Sequence, residues 1–209
     1  MTLNKTTSTL IMLLIFILTW LHPLWPVEQG LHTSLTVIGL IGLWYYIKKY
    51  PLADAHYRLI MLFLSVHAIA AHWLYSYVPY DQWLKSAFGF TLAQQFGWHR
   101  NNFDRLVHFM YGFCFTPAIA SYALTRWVRT GKQAFVVAIS AIMITSLWYE
   151  WFEWLVAMTL SPKDAESYNG QQGDMWDAHK DMLTATIGSL LWYVSYRRLT
   201  IIRIDVKQI

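Results

Sequence analysis

Three pairs of ionisable residues stand at helical spacing in apolar surroundings. They are Asp104 and His108 in NNFDRLVHFMYG, Glu150 and Glu153 in SLWYEWFEWLVA, and Asp177 and Asp181 in GDMWDAHKDM. Residues three or four apart share one face of a helix, so each pair aims both of its groups the same way. Carboxylates joined by an imidazole are a donor set for Mg, Mn, Fe or Zn, in mononuclear or paired sites. A metal held there can activate water or polarise a phosphoryl or carbonyl oxygen. Asp104, His108, Glu150, Glu153, Asp177 and Asp181 are therefore the candidate catalytic and metal-ligating set. His72, Arg100, Arg105, Asp174 and Lys180 are the candidate supporting set. The spacing lacks the Glu-x-x-His repeat of dinuclear helical bundles.

Other chemistries find no foothold. The glycines of GLIGLW lie inside an apolar run and do not form a phosphate loop, and no Gly-x-Ser-x-Gly elbow accompanies the acids and histidines. The single Cys114 cannot form an internal disulfide and reads as a small packing residue. Trp and Tyr read as an aromatic belt at the membrane interfaces. A pI near 9.1 would suit a nucleic-acid partner, but the basic residues fall in short clusters between apolar segments, which is how membrane topology is encoded.

The elements that must carry these residues follow from composition. Of 209 residues, 56% are apolar and 13% charged, about half the roughly 25% charged share of a soluble domain. Mean hydropathy is +0.31. The chain reads as all-α, a polytopic transmembrane helical bundle forming one integral membrane domain over 1–209, with the lipid bilayer as its partner. A membrane helix needs about 20 mostly apolar residues, and six such spans are expected at about 9–25, 33–49, 56–78, 104–125, 133–158 and 177–196. The first reads as a retained span, since HPLWPVEQG offers no small-x-small cleavage site. Between the third and fourth, scattered Trp and Phe among polar residues predict an interfacial or re-entrant segment.

Basic residues divide unequally between the two sides of such a bundle. Lys5; Lys48, Lys49 and Arg58; Arg126, Arg129 and Lys132; and Arg197, Arg198, Arg203 and Lys207 make eleven of sixteen. The positive-inside rule then places both termini in the cytoplasm. Asp54 and Asp205 are the only acids of twelve on that side. The six candidate residues, with His72, fall near the outer side at one depth.

A carboxylate facing lipid costs about 2.5–3.5 kcal/mol at mid-membrane, less toward the interface. The acids should thus face inward. Their helical stripes include small residues, among them Gly112 after Asp104 and His108, and Gly188 after Asp181 and Thr184; small residues let membrane helices approach closely. Carboxylates within about 4–6 Å of each other repel, and three remedies exist: protonation, pairing with Arg100, Arg105 or Lys180, or a bound cation. His67, in the apolar middle of the third span, reads as a packing residue. The bland alternative is a hydrogen-bonded polar network that merely joins helices.

The Arg-Asn-x-x-Asp-x-x-x-His-Phe run at 100–109, Glu153-Trp154, and Gln-Gly-Asp-x-Trp-Asp at 172–177 followed by Asp181-Met182 resemble the YjdF family of bacterial multi-pass inner-membrane proteins. That resemblance covers nearly the whole chain and supplies no established activity. Asp-x-x-x-His at a span opening followed by later acids also looks distantly like the VanZ-type envelope proteins. Two functional readings stand beside the structural one. One is a metal-assisted enzyme acting on a lipid or isoprenoid-linked envelope substrate. The other is a transporter or ion-coupled binding protein that uses the acids as a cation or proton site. Transporter sites lie near the midplane between repeated halves. Here the acids lie toward one face and no repeat is visible, which favours the enzyme.

Overall fold

The computed structural model describes residues 4–161, 165 and 168–197, and these are helical with no strand among them. The helices are α1 (Lys5–Thr19), α2 (Pro26–Lys49), α3 (Asp54–His72), α4 (Tyr80–Phe88), α5 (Leu92–Phe96), α6 (Phe103–Arg126), α7 (Gly131–Ala157), α8 (Asp177–Leu190) and α9 (Tyr193–Tyr196). Two of them, α2 and α7, are long and apolar enough to cross a bilayer by length and composition. Lys163, Arg198, Arg203, Lys207 and Asp205, which enter the charge count, lie outside the described residues.

Local sequence explains where the helices begin and end. Asn4 caps α1 by accepting from the Thr7 amide, and Thr130 with Gln133 forms a capping box on α7. The first helix stops at Thr19, short of the expected 25, because Pro23 and Pro26 cannot continue it; Pro26 instead opens α2, where its missing N–H costs nothing. The second helix therefore starts seven residues earlier than the expected 33. The third ends at His72, not 78, where Leu74 and Tyr75 take positive φ values of 45° and 58° and turn the chain. Between 80 and 100 lie α4 and α5, each closed by a left-handed glycine, Gly89 and Gly97. Neither contains a buried residue, and Asp81 ties them by accepting from the Leu92 amide at 2.7 Å.

The bundle is organised around α6, which packs against α8, α7 and α3, while α1 packs on α3. The α6–α8 seam is the tightest. A Cβ at Gly112 would overlap the Ala185 carbonyl, and one at Gly188 would overlap the Phe109 carbonyl. Thr116 Oγ1 meets Ser189 Oγ at 2.6 Å in the same seam. The expected pairing of ionisable groups with small residues thus has a geometric cause: the glycines bring the two helices together directly below Asp104, His108 and Asp181. Pro117, inside α6, cannot donate to the Phe113 carbonyl, and the Trp192 indole N–H does so instead at 2.7 Å.

Charge segregates to the two ends of the bundle. At one end Lys5 pairs with Asp54 at 3.2 Å and Arg126 stacks over Tyr50. The other end gathers the start of α6, the end of α7 and the start of α8.

Candidate functional site

The start of α6 and the start of α8 meet through a guanidinium. Arg100 donates to both Asp104 and Asp177, and lies 3.6 Å from Asp174. Arg105 reaches Asp174 at 2.5 Å and Asp177 at 3.5 Å, and Lys180 reaches Asp174 at 2.6 Å. Three acids therefore face three cations. Asp174 lies in the loop before α8, and the Lys180 ammonium, aided by Arg105, holds its carboxyl well below the usual carboxylate range. The loop is fixed from both sides: Arg100 also donates to the carbonyls of Gly170 and Gln171, and Asn101 and Gln172 exchange two hydrogen bonds of 2.9 and 3.0 Å.

Deeper along the same helices the balance changes. His108 on α6, Glu150 on α7 and Asp181 on α8 each present one ligand atom, all within 4.8 Å of one another. His108 Nε2 is 3.9 Å from Glu150 Oε1. Glu150 Oε1 and Asp181 Oδ1 are buried and have no hydrogen-bond partner among the described residues. A second set, Asp104, Asp177 and Asp181, is equally close. Asp181 belongs to both sets, so it stands between them. Arg100 already pairs with Asp104 and Asp177 of the second set, whereas no lysine or arginine pairs with Glu150, Glu153 or Asp181 among the described residues.

A small cavity of about 20 Å³ opens between the sets, bordered by Asp104, His108, Glu153 and Asp181. That is room for roughly one water-sized species, which needs ~10–15 Å³. The five candidate residues of the two sets, Asp104, His108, Glu150, Asp177 and Asp181, are thus brought together with the sixth, Glu153. Of the supporting set, Arg100, Arg105, Asp174 and Lys180 form the ion-pair layer above them. His72 does not border this cavity. Its Nδ1 pairs with the Thr19 carbonyl at 2.9 Å, which also accepts from Gln29 Nε2 at 3.0 Å. The end of α1 leaves such carbonyls without intrahelical partners, and His72 satisfies one.

Other residues at the cavity escape a sequence reading that assigns Tyr to the belt. Tyr75, Tyr149, Tyr168 and His32 all line it. His32 is buried, stacks on Tyr168 with ring centroids 4.4 Å apart, and has no partner for either ring nitrogen among the described residues. Its signal was available: Gln29, His32, Thr33 and Thr36 make one polar stripe on α2, and all four are buried. Tyr75 places its hydroxyl 2.5 Å from His67 Nδ1, so His67 is satisfied, as expected of a packing residue, yet sits one residue from the site.

Donor type and geometry decide what this arrangement can hold. One imidazole and two carboxylates from three helices, with room left over, match a site of three protein ligands and an open position, as in catalytic zinc centres, and equally suit Mn or Fe.

The family model described as "Predicted membrane protein (DUF2238)" matches residues 5–200. The inner membrane protein YjdF of Escherichia coli (strain K12) is 32% identical over 199 residues, covering 90% of this chain and 85% of the relative. No solved structure matches.

Proposed function

The chain belongs to the DUF2238 family of predicted membrane proteins, and on that footing we propose that it is a six-span inner-membrane protein that binds a divalent metal at His108, Glu150 and Asp181. The single domain would span 1–209, with both termini cytoplasmic and the site at the periplasmic end. Its activity would be metal-assisted chemistry on a lipid or isoprenoid-linked envelope substrate.

One observation carries the metal reading: Glu150 and Asp181 each bury a carboxylate oxygen without a partner among the described residues, and both residues offer a ligand atom within 4.8 Å of one on His108. Buried carboxylate oxygens left without partners are costly, and membrane helices keep such groups where they serve function. Arg100, Arg105 and Lys180 offset Asp104, Asp174 and Asp177, but three acids remain below them, and a divalent cation is the remedy that also leaves an open coordination position. When bound, the metal would supply Lewis-acid polarisation or an activated water. Arg100 and Arg105 would close the site above, excluding bulk water, and Asp181 would couple the ion-pair layer to the metal. The six-span topology draws support from the segregation of basic and acidic residues to opposite ends of the bundle.

The test is metal analysis of purified wild-type protein, with melting shifts on titration of Mg, Mn, Fe and Zn. Binding to the native state alone raises stability by about 2.7 kcal/mol at a hundred times Kd. Metal-free protein with no shift from any ion would return the cluster to a proton-sharing network. Alkaline phosphatase fused at the C-terminus should be inactive and fused after Ser161 active; the reverse would put the site on the cytoplasmic side.

A further inference from the structure

Beside the acid cluster lies a second, larger cavity of about 290 Å³, bounded by α2, α3, α6 and α7. Its walls are mainly apolar: Leu35, Phe63, Leu64, Val107 and Phe115. Two hydroxyls, those of Thr36 and Ser146, lie in its lining without partners among the described residues. Apolar walls with a few placed polar groups are the composition of a small-molecule site. The cavity shares Tyr75, His108 and Tyr149 with the small polar cavity, so the two adjoin at a candidate metal ligand.

The position of its mouth identifies the occupant. Leu35 and Gly39 on α2 and Thr145 on α7 are the exposed members of the lining, and all three lie near the middle of their helices. The main packing partner of α2 is α3, and those of α7 are α6 and α8, so the mouth falls where α2 and α7 pass each other without a packed seam of their own. An opening at mid-helix on a membrane bundle faces acyl chains, not water.

We infer that this cavity seats the hydrocarbon tail of a single-tailed amphiphile, which enters sideways between α2 and α7 and carries its polar head to the His108 end. This deepens the proposed function and rests on it for the membrane-spanning bundle and for the chemistry done at the head. The size favours one tail segment over a two-tailed phospholipid, since about 290 Å³ is at the bottom of the roughly 300–1,000 Å³ range of ligand sites. Tails of the fatty acyl and polyprenyl kinds share the required chemistry.

Glycine geometry supplies a selective plug. A Cβ at Gly39 or at Gly42 meets nothing within 4 Å, but only Gly39 lines the cavity. The experiment uses full-length protein in nanodiscs with two probes, a mid-chain photoreactive fatty acid and a photoreactive polyprenyl phosphate, and maps the labelled residues by mass spectrometry. Labelling by either probe should concentrate at Leu35–Gly39, Val107–Phe115 and Thr145–Tyr149, and should be competed by the unlabelled lipid. Gly39→Trp puts an indole at the mouth and should lower labelling severalfold, while Gly42→Trp leaves it unchanged. The probe that labels names the tail. Labelling spread evenly over lipid-facing residues, uncompeted and indifferent to Gly39→Trp, would overturn the inference. The wild-type map decides the matter even if a variant fails to fold. The same map on metal-stripped protein and on Asp181→Asn separates the two claims: cavity labelling in a protein that never binds metal sinks the metal reading alone, and bound metal without cavity labelling sinks this one alone.

Discussion

Glu150 on α7 and Asp181 on α8 each bury a carboxylate oxygen without a hydrogen-bond partner among the described residues, and each offers a ligand atom within 4.8 Å of one on His108 of α6. Asp181 also stands beside Asp104 and Asp177, whose charge Arg100 already offsets. The two layers make different demands on the same kind of side chain.

Asp181→Asn and Asp104→Asn should therefore behave differently. Asp181→Asn removes a ligand, so bound metal and the metal-dependent melting shift should both fall. Asp104→Asn removes an Arg100 partner, so metal should remain while stability in its absence declines. Equal metal content in wild type and Asp181→Asn would show that Asp181 is not a ligand.

Arg100 is largely buried and holds Asp104 and Asp177 at once. Arg100→Met should destabilise by about 3–5 kcal/mol, because removing one member of a buried pair strands the other charge. Adding Asp104→Asn should recover part of that loss. A double-mutant cycle in reversible unfolding measures the coupling, and additive effects would argue against the pair.

Close approach of α6 and α8 at Gly112 and Gly188 forms the base of the site. Gly112→Ala or Gly188→Ala should cost ~3 kcal/mol or more, at the upper end of overpacking penalties, since the obstacle is backbone. Metal binding should weaken in parallel as His108 and Asp181 move apart. Gly42→Ala, with open space around it, is the control.

Acid should loosen the ion-pair layer before it unfolds the bundle. The carboxyl of Asp174 is held below its ordinary range by Lys180 and Arg105. A depressed native value means that the stabilisation is complete above the unfolded value, about 3.9, and is lost as pH falls below it toward the native one. Melting temperature measured from about pH 6 down to pH 3 should drop, and Asp174→Asn should flatten that drop. An unchanged acid limb would mean that Asp174 forms no such pair in solution.

Much of this was legible in sequence because it depends on periodicity and composition. Spacing alone put Asp104 with His108, Glu150 with Glu153, and Asp177 with Asp181 on shared faces, and the glycines of the same stripes marked where α6 and α8 would close. Helix limits were less legible: Pro23 and Pro26 could have placed the first break, but nothing local announces the positive φ of Leu74 and Tyr75 that ends α3 early. Only tertiary structure divided the acids into an arginine-paired layer and an unpaired one. That division depends on which long side chain reaches which oxygen across segments 69 to 77 residues apart, a matter of depth and rotation that one-dimensional spacing does not carry. The same holds for His32, brought to the site from α2, for His72, turned to the end of α1, and for the apolar cavity, since a void exists only between elements once they have packed.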